Sequence, residues 1–374
     1  MTGMGHQGNV APPGPNAGHA ERDRMTTARA LGLWAEGRHA LPPGPLNAIT
    51  DVPGVAVGHR CLGGNGLATG VTAVLPHGGD LFRQKVRAGV EVINGFGKSA
   101  GLMQVAELGT VETPILLTNT FGVAACTEAL IRRAIAQNPT IGRETSTVNP
   151  VVCECNDGAI SDIQALAVTP EDAQAAMAAA QGGAFAQGAV GAGRGMTAFG
   201  FKAGVGSASR CMAVADRVFT LGALVLANFG RQGDLILPDG RRPDPRGMQS
   251  PPERGSVIVI LATDLPLADR QLARVARRAG AGLARLGAFW GHGSGDIALC
   301  FTTADPVAHD APAFQPVIRL DDNLIDLPFR AAAETTQEAV LNALCAAAPA
   351  IGRNGRPYPS LADWKGDETA HPSP

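Results

Sequence analysis

The residues best placed to do chemistry lie where a polar, proline-containing segment meets an apolar run. Residues 230–254 lead into Gly255 and Ser256, which are followed by the β-branched run 257–261. A short, uninterrupted apolar run of this kind is typical of a strand that is buried on both faces. Ser256 is therefore predicted to begin a core strand. Gly255 lacks a Cβ, so the backbone before the serine can adopt strained angles that bring the Gly255 carbonyl to the Ser256 hydroxyl.

This arrangement is the one that a self-cleaving hydrolase would need. Attack of the Ser256 hydroxyl on the Gly255 carbonyl would give an ester, and water would then free Ser256 as a new N-terminus. A free α-amine has a pKa of about 7.7 to 8.0, so it can serve as general base to the hydroxyl of the same residue. The alternative is that Gly-Ser merely begins a strand, and the dipeptide taken by itself favours that alternative because such pairs are common in loops.

Length, composition and charge favour a globular protein and argue against several classes of function. The 374 residues are 45% hydrophobic and 17% charged, which is enough for a large core in one large or two ordinary domains. A net charge of −2 offers no basic surface for nucleic acid or for an anionic membrane. No apolar run reaches membrane-spanning length. The seven cysteines lack the spacing of a disulfide framework, which favours reduced thiols in the cytoplasm.

The two ends of the chain differ in amino-acid composition from the region between them. Residues 1–24 are rich in Gly, Pro, Asn and His and contain no secretory apolar segment, so they are predicted to be disordered or to precede a true start at Met25. We expect a disordered leader over residues 1–27, one domain over residues 28–365 and a disordered tail over residues 366–374.

The elements that would position the serine alternate between strands and helices. Apolar runs and turn signals predict strands near 55–59, 70–76, 86–94, 114–118, 151–154, 221–228 and 297–302. Helical spacing predicts helices near 99–109, 123–137, 169–181, 268–286 and 335–344. Ser99 is expected to cap the first of these helices, and Thr335 and Glu338 have the spacing of a capping box for the last.

Other segments carry polar residues at the ends of predicted strands. Strand 221–228 ends in Asn228, which is either a turn residue or a donor to a developing oxyanion. Cys153 and Cys155 are too close together for the usual zinc pair, so a buried strand is favoured there. The glycine-dense segment 188–210 lacks the helix and the acidic residue of a dinucleotide site, and close packing of backbone is the favoured interpretation.

Several segments in register resemble the L-aminopeptidase D-Ala-esterase/amidase family, whose members are self-processing aminopeptidases and include the β-peptidyl aminopeptidases. The match runs in order from about Ala28 to beyond Leu344, and several motifs in register are far more specific than any one of them. The motifs that carry the resemblance are residues 45–55, 151–158, 201–210, 255–264, 292–296 and 334–340.

The resemblance implies a four-layer αββα sandwich, similar in architecture to N-terminal nucleophile hydrolases but with different connectivity, and shared with ornithine acetyltransferase. It implies autocleavage between Gly255 and Ser256 into a long chain, residues 1–255, and a short chain, residues 256–374. The two chains are expected to stay together and to assemble into a homo-oligomer, commonly a tetramer. No metal and no organic cofactor is expected.

The resemblance also implies roles for individual residues. Ser256 is the expected nucleophile and its freed amine the general base, while Asn228 matches the asparagine of the oxyanion hole. Ser294 and Asp296 match a pair that hydrogen-bonds around the nucleophile, where some relatives have a glutamate instead of the aspartate. Glu154 matches the acid that faces the free amine of the substrate. A carboxylate at a closed pocket end favours an ammonium over a blocked N-terminus.

Alternatives remain for these residues and for the whole chain. Glu154 could belong to a structural ion pair, and Ser294 and Asp296 could be turn residues. Asn156 and Ala159 lie where several relatives have aromatic residues, so we expect a substrate pocket that is wider than theirs.

The sequence predicts a cytoplasmic aminopeptidase or amidase that releases an N-terminal α- or β-amino acid from short peptides, amides or esters through an acyl-enzyme on Ser256. Neither nucleic acid nor membrane is expected as a partner. One alternative is an acyltransferase of the ornithine acetyltransferase type, in which an amine replaces water, although that family is processed before threonine. The other is a non-catalytic binding or scaffold protein on the same fold.

Overall fold

The computed structural model describes residues 26–245 and 255–364. The predicted leader, apart from its last two residues, and the predicted tail lie outside the described residues. So do residues 246–254, the last part of the polar stretch that precedes Gly255. Within the described residues, no helix combines the length and the apolar character needed to cross a bilayer.

The strands form two main sheets and two small hairpins. They are β1 (Ala56–Gly64), β2 (Leu67–Leu75), β3 (Gln84–Gly95), β4 (Thr110–Val111), β5 (Ile115–Asn119), β6 (Val151–Cys155), β7 (Thr197–Ala198), β8 (Phe201–Lys202), β9 (Val205–Val214), β10 (Arg217–Asn228), β11 (Ser256–Thr263), β12 (Gly295–Ala308), β13 (Ala350–Ile351) and β14 (Pro357–Tyr358). One sheet has the order β1-β2-β5-β6 and the other the order β4-β3-β12-β11-β10-β9.

Helices cover the outer face of each main sheet. The described helices are α1 (Leu102–Leu108), α2 (Val123–Gln137), α3 (Pro170–Ala178), α4 (Asp269–Arg277), α5 (Ala279–Arg285) and α6 (Asp326–Cys345), with short 3-10 helices between them. Helix α1 differs from the others because its Val105 packs into the core between the sheets. Helices α2 and α3 pack on the four-stranded sheet. Helices α4, α5 and α6 pack on the six-stranded sheet. The layers run helix, sheet, sheet, helix, so the αββα expectation is confirmed.

The core between the two sheets explains why β11 is apolar along its whole length. Successive side chains of a strand point to opposite faces. Ile258 and Ile260 pack between the sheets, against residues such as Val151. Val257 and Val259 point the other way and pack under the helices. Both faces of β11 are therefore buried, as the uninterrupted apolar run predicted.

Strand β11 lies near the middle of the six-stranded sheet, between β10 and β12. It is antiparallel to β10 and parallel to β12, and Ser256 is the register partner of both Asn228 and Gly295. A parallel pair needs a crossover connection. Helices α4 and α5 supply the crossover between β11 and β12. The strand order thus brings two distant parts of the chain to either side of the serine.

The glycine-rich segment packs backbone against backbone, as the sequence indicated. A Cβ on Gly204 would lie 1.8 Å from the carbonyl oxygen of Gly188, and one on Gly206 would lie 2.0 Å from that of Ala339. These contacts leave no room for a side chain. Residues Gly191–Gly195 form a short 3-10 helix and open no long helix.

Two predictions about helix ends are wrong. Helix α6 begins at Asp326, so Thr335 and Glu338 lie inside it and form no capping box. The Thr335 hydroxyl donates to the Ala331 carbonyl within the same helix, at 2.8 Å. Helix α1 begins at Leu102 and has no side-chain cap, so Ser99 does not cap it. The predicted helix over 268–286 is divided at Arg278 into α4 and α5.

Glu338 belongs instead to a buried charge cluster that joins the start of the chain to α6. Arg210 is fully buried and donates to Glu334 at 3.0 Å and to Glu338 at 2.7 Å. Arg29 donates from Nη2 to the same Glu338 carboxylate at 3.0 Å. The indole ring of Trp34 lies 5.2 Å from the Arg210 guanidinium. Each buried charge therefore has an oppositely charged partner, without which burial would be costly.

Candidate active site

Ser256 is the first residue of β11, and its hydroxyl is held by the neighbouring strand. The backbone N–H of Gly295 donates to Ser256 Oγ at 3.1 Å. Only 5% of Ser256 is exposed. A hydroxyl that accepts a hydrogen bond from a fixed backbone N–H has a defined position, and the same N–H would stabilise negative charge that develops on the oxygen.

Asn228 lies at the end of β10, beside Ser256, and both ends of its amide are fixed. Asn228 Oδ1 accepts from the backbone N–H of Thr197 at 3.0 Å, and Nδ2 donates to the carbonyl of Asn156 at 2.9 Å. These partners determine which way the amide faces. An amide nitrogen carries two hydrogens, so the bond to Asn156 uses one of them.

Gly255 is required at its position because there is no space for a side chain. A Cβ on Gly255 would lie 1.9 Å from the carbonyl oxygen of Asn228 and 2.7 Å from the Cα of Phe229. Gly255 is not among the residues with positive φ. The glycine therefore serves close approach to β10, and the strained backbone angles that the sequence suggested are not its contribution in this structure.

Ser294 and Asp296 flank Gly295, the glycine whose N–H reaches Ser256. The Ser294 hydroxyl donates to Asp296 Oδ1 at 2.7 Å, and both residues are buried. Asn94, on β3, donates from Nδ2 to the carbonyl of Gly291 at 3.0 Å and also to that of Ser294. The pair and Asn94 together fix the backbone on both sides of Gly295, and with it the N–H that holds Ser256.

Glu154, near the end of β6, has a carboxylate with hydrogen-bond donors on both oxygens. The backbone N–H of Lys98 donates to Oε1 at 2.8 Å, and the Thr120 hydroxyl donates to Oε2. Glu154 is only 3% exposed, and among the described residues no cation lies within ion-pair distance of it. The structural ion pair that the sequence left open is therefore not found in this part of the chain.

The Glu154 carboxylate lies close to the start of β12, beside Ser256. The position that a Cβ would take on Gly97 is 3.7 Å from Glu154 Oε1 and 3.7 Å from the Cα of Gly295. Glu154 Oε1 and the Cα of Gly295 are therefore separated by no more than twice 3.7 Å. The next residue along β6, Cys155, contacts the backbone of Ser256, because its thiol donates to the Ser256 carbonyl at 3.3 Å.

Burial changes the acidity of the groups beside Glu154. Burial is the main cause that raises the pKa of the Cys155 thiol well above its ordinary value, and the nearby carboxylates of Glu154 and Asp296 raise it further. Burial also raises the pKa of Asp157, which hydrogen bonds from Thr69 and Asn119 partly oppose. Cys155 is therefore a neutral hydrogen-bond donor rather than a thiolate nucleophile or metal ligand.

A cleft of about 740 Å³ opens beside the strand ends. Asn228 and Gly255 line it together with Asn156 and Ala159, so a substrate in the cleft would meet the proposed oxyanion donor. The Asn156 side chain accepts from the N–H of Gly158 at 2.8 Å. Glu154 is not part of this lining.

The predicted site residues come together around one strand end, and the groups that sequence reasoning missed are mostly backbone donors. The N–H groups of Gly295, Thr197 and Lys98 leave no trace in a sequence because every residue except proline has one. Asn94 carried a weak signal, because it is a polar residue at the end of a predicted strand.

Residues 47–358 match the model of a known protein family, peptidase family S58. The chain belongs to peptidase family S58. Curated relatives of this S58 chain include the "Beta-peptidyl aminopeptidase BapA" of Sphingosinicella microcystinivorans, which is 37% identical over 355 residues, 88% of this chain and 87% of the relative.

Solved structures of similar proteins agree with this assignment. The PH0078 protein from Pyrococcus horikoshii OT3 has a TM-score of 0.83 and 42% identity, with 90% of this chain and 96% of the other covered. The L-aminopeptidase D-Ala-esterase/amidase from Ochrobactrum anthropi, described as a prototype serine aminopeptidase and a new variant of the Ntn hydrolase fold, has a TM-score of 0.80 and 37% identity. That match covers 89% of this chain and 94% of the other.

These relatives confirm the family resemblance and the class of enzyme. The S58 chain is a hydrolase of the serine aminopeptidase and amidase type. Neither the acyltransferase nor the non-catalytic scaffold is favoured by the relatives that it matches.

Proposed function

We propose that this S58 peptidase cuts itself between Gly255 and Ser256 and then uses the freed Ser256 to remove the N-terminal residue from short peptides, amides or esters. The observation that carries the proposal is the setting of Ser256. Its hydroxyl is held at 3.1 Å by Gly295, the Asn228 amide is fixed beside it, and the preceding residue has no room for a side chain.

Self-cleavage begins with attack of Ser256 Oγ on the carbonyl carbon of Gly255. The bond between that carbon and the Ser256 nitrogen breaks, the hydroxyl proton passes to the nitrogen, and an ester joins the two residues. Water then hydrolyses the ester, which leaves a carboxylate on Gly255 and a free amine on Ser256. The hydrogen bond that holds Ser256 Oγ favours this step, since an effective reaction depends on a fixed position of the attacking atom.

Turnover repeats the same chemistry on a substrate. The α-amine of Ser256 takes the proton from Oγ, and the oxygen attacks the substrate carbonyl to give a tetrahedral intermediate. The second hydrogen of Asn228 Nδ2 and a backbone N–H stabilise its oxyanion. The leaving amine receives the proton and departs, and water releases the acyl group from Ser256.

Glu154 supports the assignment as an aminopeptidase rather than a general peptidase. Its carboxylate is buried, has two neutral donors and lies beside the strand that holds Ser256. The free ammonium of a substrate can complete its set of partners, whereas a blocked N-terminus cannot. We assign Glu154 as the anchor for the substrate amine, and Asn156 and Ala159 as part of the wall that decides which residue is accepted.

The proposal extends to assembly and location. Long and short chains remain together after the cut and form a homo-oligomer, for which the family resemblance suggests a tetramer, in the cytoplasm. The seven cysteines are all free thiols in the structure, which supports a reducing compartment. Size-exclusion chromatography with light scattering measures the mass of the assembly, and cell fractionation measures its location.

The decisive experiment compares freshly purified wild-type protein with Ser256→Ala. We expect wild-type protein to give two bands on a denaturing gel, with a short chain whose first residue is Ser256 by N-terminal sequencing. The Ser256→Ala variant should give one full-length band and no hydrolysis of aminoacyl p-nitroanilides.

Ser161→Ala is a matched control. Ser161 is also buried and also accepts a backbone N–H at 3.1 Å, from Ala68, but it lies outside the site. This variant should be cut and active like the wild type. Cleavage at the same bond in Ser256→Ala, or turnover by it, would place the nucleophile elsewhere and refute the proposal.

A further inference from the structure

Three arginines line the cleft beside the nucleophile. Arg231, Arg353 and Arg356 share the lining with Asn228 and Gly255, and among the described residues no carboxylate lines this cleft. A cleft whose described lining carries several cations and no carboxylate attracts a negatively charged group. Neither the nucleophile nor the amine anchor of the proposed mechanism uses these arginines.

Two of the arginines are held in place by the hairpin of β13 and β14. The backbone N–H of Arg353 donates to the carbonyl of Ala159 at 3.1 Å, which attaches the hairpin to the cleft wall. The side chain of Arg356 donates to Gln232 at 2.9 Å, and its guanidinium lies 5.3 Å from the centre of the Tyr358 ring. The cleft therefore presents guanidinium groups from a positioned element rather than from a long surface loop.

Among the described residues, Asp162 is the acid that pairs with Arg353, and the pair is weak. Arg353 Nη2 and Asp162 Oδ1 are 3.7 Å apart, and the two side chains are 49% and 43% exposed. Pairs that are this exposed contribute little, because water and salt screen them. A ligand carboxylate that binds Arg353 would therefore replace a weak contact.

The strand order places the arginine cleft and the amine anchor on opposite sides of Ser256. Glu154 lies near Gly97 and Gly295, on the β12 side of β11, whereas the cleft is lined by Asn228 on the β10 side. From β12 to β10 is two strand spacings, roughly 10 Å. An extended peptide covers about 3.3–3.6 Å per residue, so about three residues span that distance.

We propose that the arginine cleft binds the C-terminal carboxylate of the substrate, so that the enzyme prefers short peptides with a free C-terminus over the same peptides as amides. This inference rests on the proposed function and specifies its substrate class. The ammonium binds at Glu154, the scissile carbonyl lies at Ser256, and the far carboxylate pairs with Arg353 and Arg356. Arginine suits this task because its planar guanidinium can donate two parallel hydrogen bonds to a carboxylate.

The test measures kcat/KM for one tripeptide as the free acid and as the C-terminal amide. We expect the wild-type enzyme to favour the acid by about tenfold, a typical effect of one charge-assisted hydrogen bond. Arg353→Gln combined with Arg356→Gln should lower kcat/KM for the acid by about tenfold and leave that for the amide nearly unchanged. Added salt should reduce the wild-type preference, because it screens the exposed charges.

Arg132→Gln is the matched control. Arg132 is 65% exposed on α2, pairs with Glu128 and lies outside the cleft, so its loss should leave the acid-to-amide ratio unchanged. Equal hydrolysis of acid and amide by the wild type would overturn the inference while leaving the proposed function standing. That result would be explained if the carboxylate that self-cleavage leaves on Gly255 already pairs with the arginines. A ratio that survives the double variant would also overturn it. No turnover of either peptide by cut protein would refute both.

Discussion

The substitution Gly255→Ala tests the proposed self-cleavage without removing any reacting group. Ser256, Asn228 and Gly295 all remain, and one methyl group is added to the residue whose carbonyl is attacked. That methyl carbon would begin 1.9 Å from the Asn228 carbonyl oxygen. One of these atoms is a Cβ and the other is a backbone oxygen, so neither can move away by a simple side-chain rotation.

The structure gives the size of the effect. Real Cβ atoms essentially never approach another heavy atom closer than 3.0 Å, so Gly255 and β10 must separate by more than about 1 Å. Forcing extra volume into a packed site costs about 1–3 kcal/mol. A displacement of about 1 Å between reacting groups can slow a positioned reaction by about 100-fold. We therefore expect Gly255→Ala to be cut about 100-fold more slowly than the wild type.

The assay follows the loss of the full-length chain with time after purification, by denaturing gel and intact mass. Gly78→Ala is the control, because a Cβ at that glycine would meet nothing within 4 Å and its φ is not positive. It should be cut at the wild-type rate. Circular dichroism should show that both variants are folded.

Cleavage of Gly255→Ala at the wild-type rate, at the same bond, would refute the reasoning. It would mean that the close approach of Gly255 to the Asn228 carbonyl is not a feature of the reacting state. A circular dichroism spectrum that shows an unfolded Gly255→Ala chain would also contradict the prediction, because the free-energy cost is expected to fall on the end of one strand and not on the whole fold.

Three further substitutions follow from buried groups. Glu154→Gln should lower kcat/KM for free-amine substrates by about 10- to 100-fold, the worth of a charged hydrogen bond, and leave self-cleavage on gels unchanged. Glu338→Gln should lower the free energy of unfolding by about 1–3 kcal/mol, because Arg210 loses one of its two buried carboxylate partners and keeps only Glu334. Glu128→Gln, in an exposed pair, should cost less than about 1 kcal/mol in the same denaturant titration. Burial lowers the pKa of His59 to about 4, so between pH 6.5 and pH 4 only the unfolded chain takes up a proton at this residue. The free energy of unfolding should therefore fall by about 2–3 kcal/mol over that range. His59→Gln should remove this part of the pH dependence in urea titrations of the uncut Ser256→Ala chain.

Each of these expectations has a contradicting result. Equal losses of peptide turnover and self-cleavage in Glu154→Gln would remove Glu154 from the amine-binding role. Similar destabilisation by Glu338→Gln and Glu128→Gln would show that burial does not distinguish the two carboxylates. An unchanged slope of stability against pH in His59→Gln would assign the acid sensitivity to other groups.

The sequence predicted which candidate residues lie together where the signal was a side chain at the end of an apolar run. Ser256, Asn228 and Glu154 each stand at or next to such an end, and the structure brings them to one region. The family resemblance supplied the layers of the fold, which apolar periodicity does not specify. The reason for Gly255 could not be read from sequence, because it depends on how closely β10 passes, and that distance is set by packing between distant segments.

The errors lie where local pattern and tertiary packing disagree. Thr335 and Glu338 have the spacing of a helix start, yet the helix begins at Asp326 and their side chains serve other partners. The capping-box pattern depends only on residues that are close in sequence. It therefore cannot show that Glu338 is the buried carboxylate with which the distant Arg210 pairs. The arginine cleft was missed because Arg231 and Arg353 are far apart in the chain and meet only when the hairpin folds onto the cleft wall.

The order of strands in the six-stranded sheet has a consequence for the timing of the proposed self-cleavage. The N–H that holds Ser256 Oγ comes from Gly295, 39 residues further along the chain. A ribosome-bound chain that has emerged only as far as Ser256 contains the proposed nucleophile and the proposed scissile bond but lacks this support. The proposed cut would therefore wait until β12 has been synthesised and inserted between β3 and β11. Self-cleavage would then occur only in molecules that have folded. Uncut molecules in a fresh preparation would be those in which the central strands had not yet assembled.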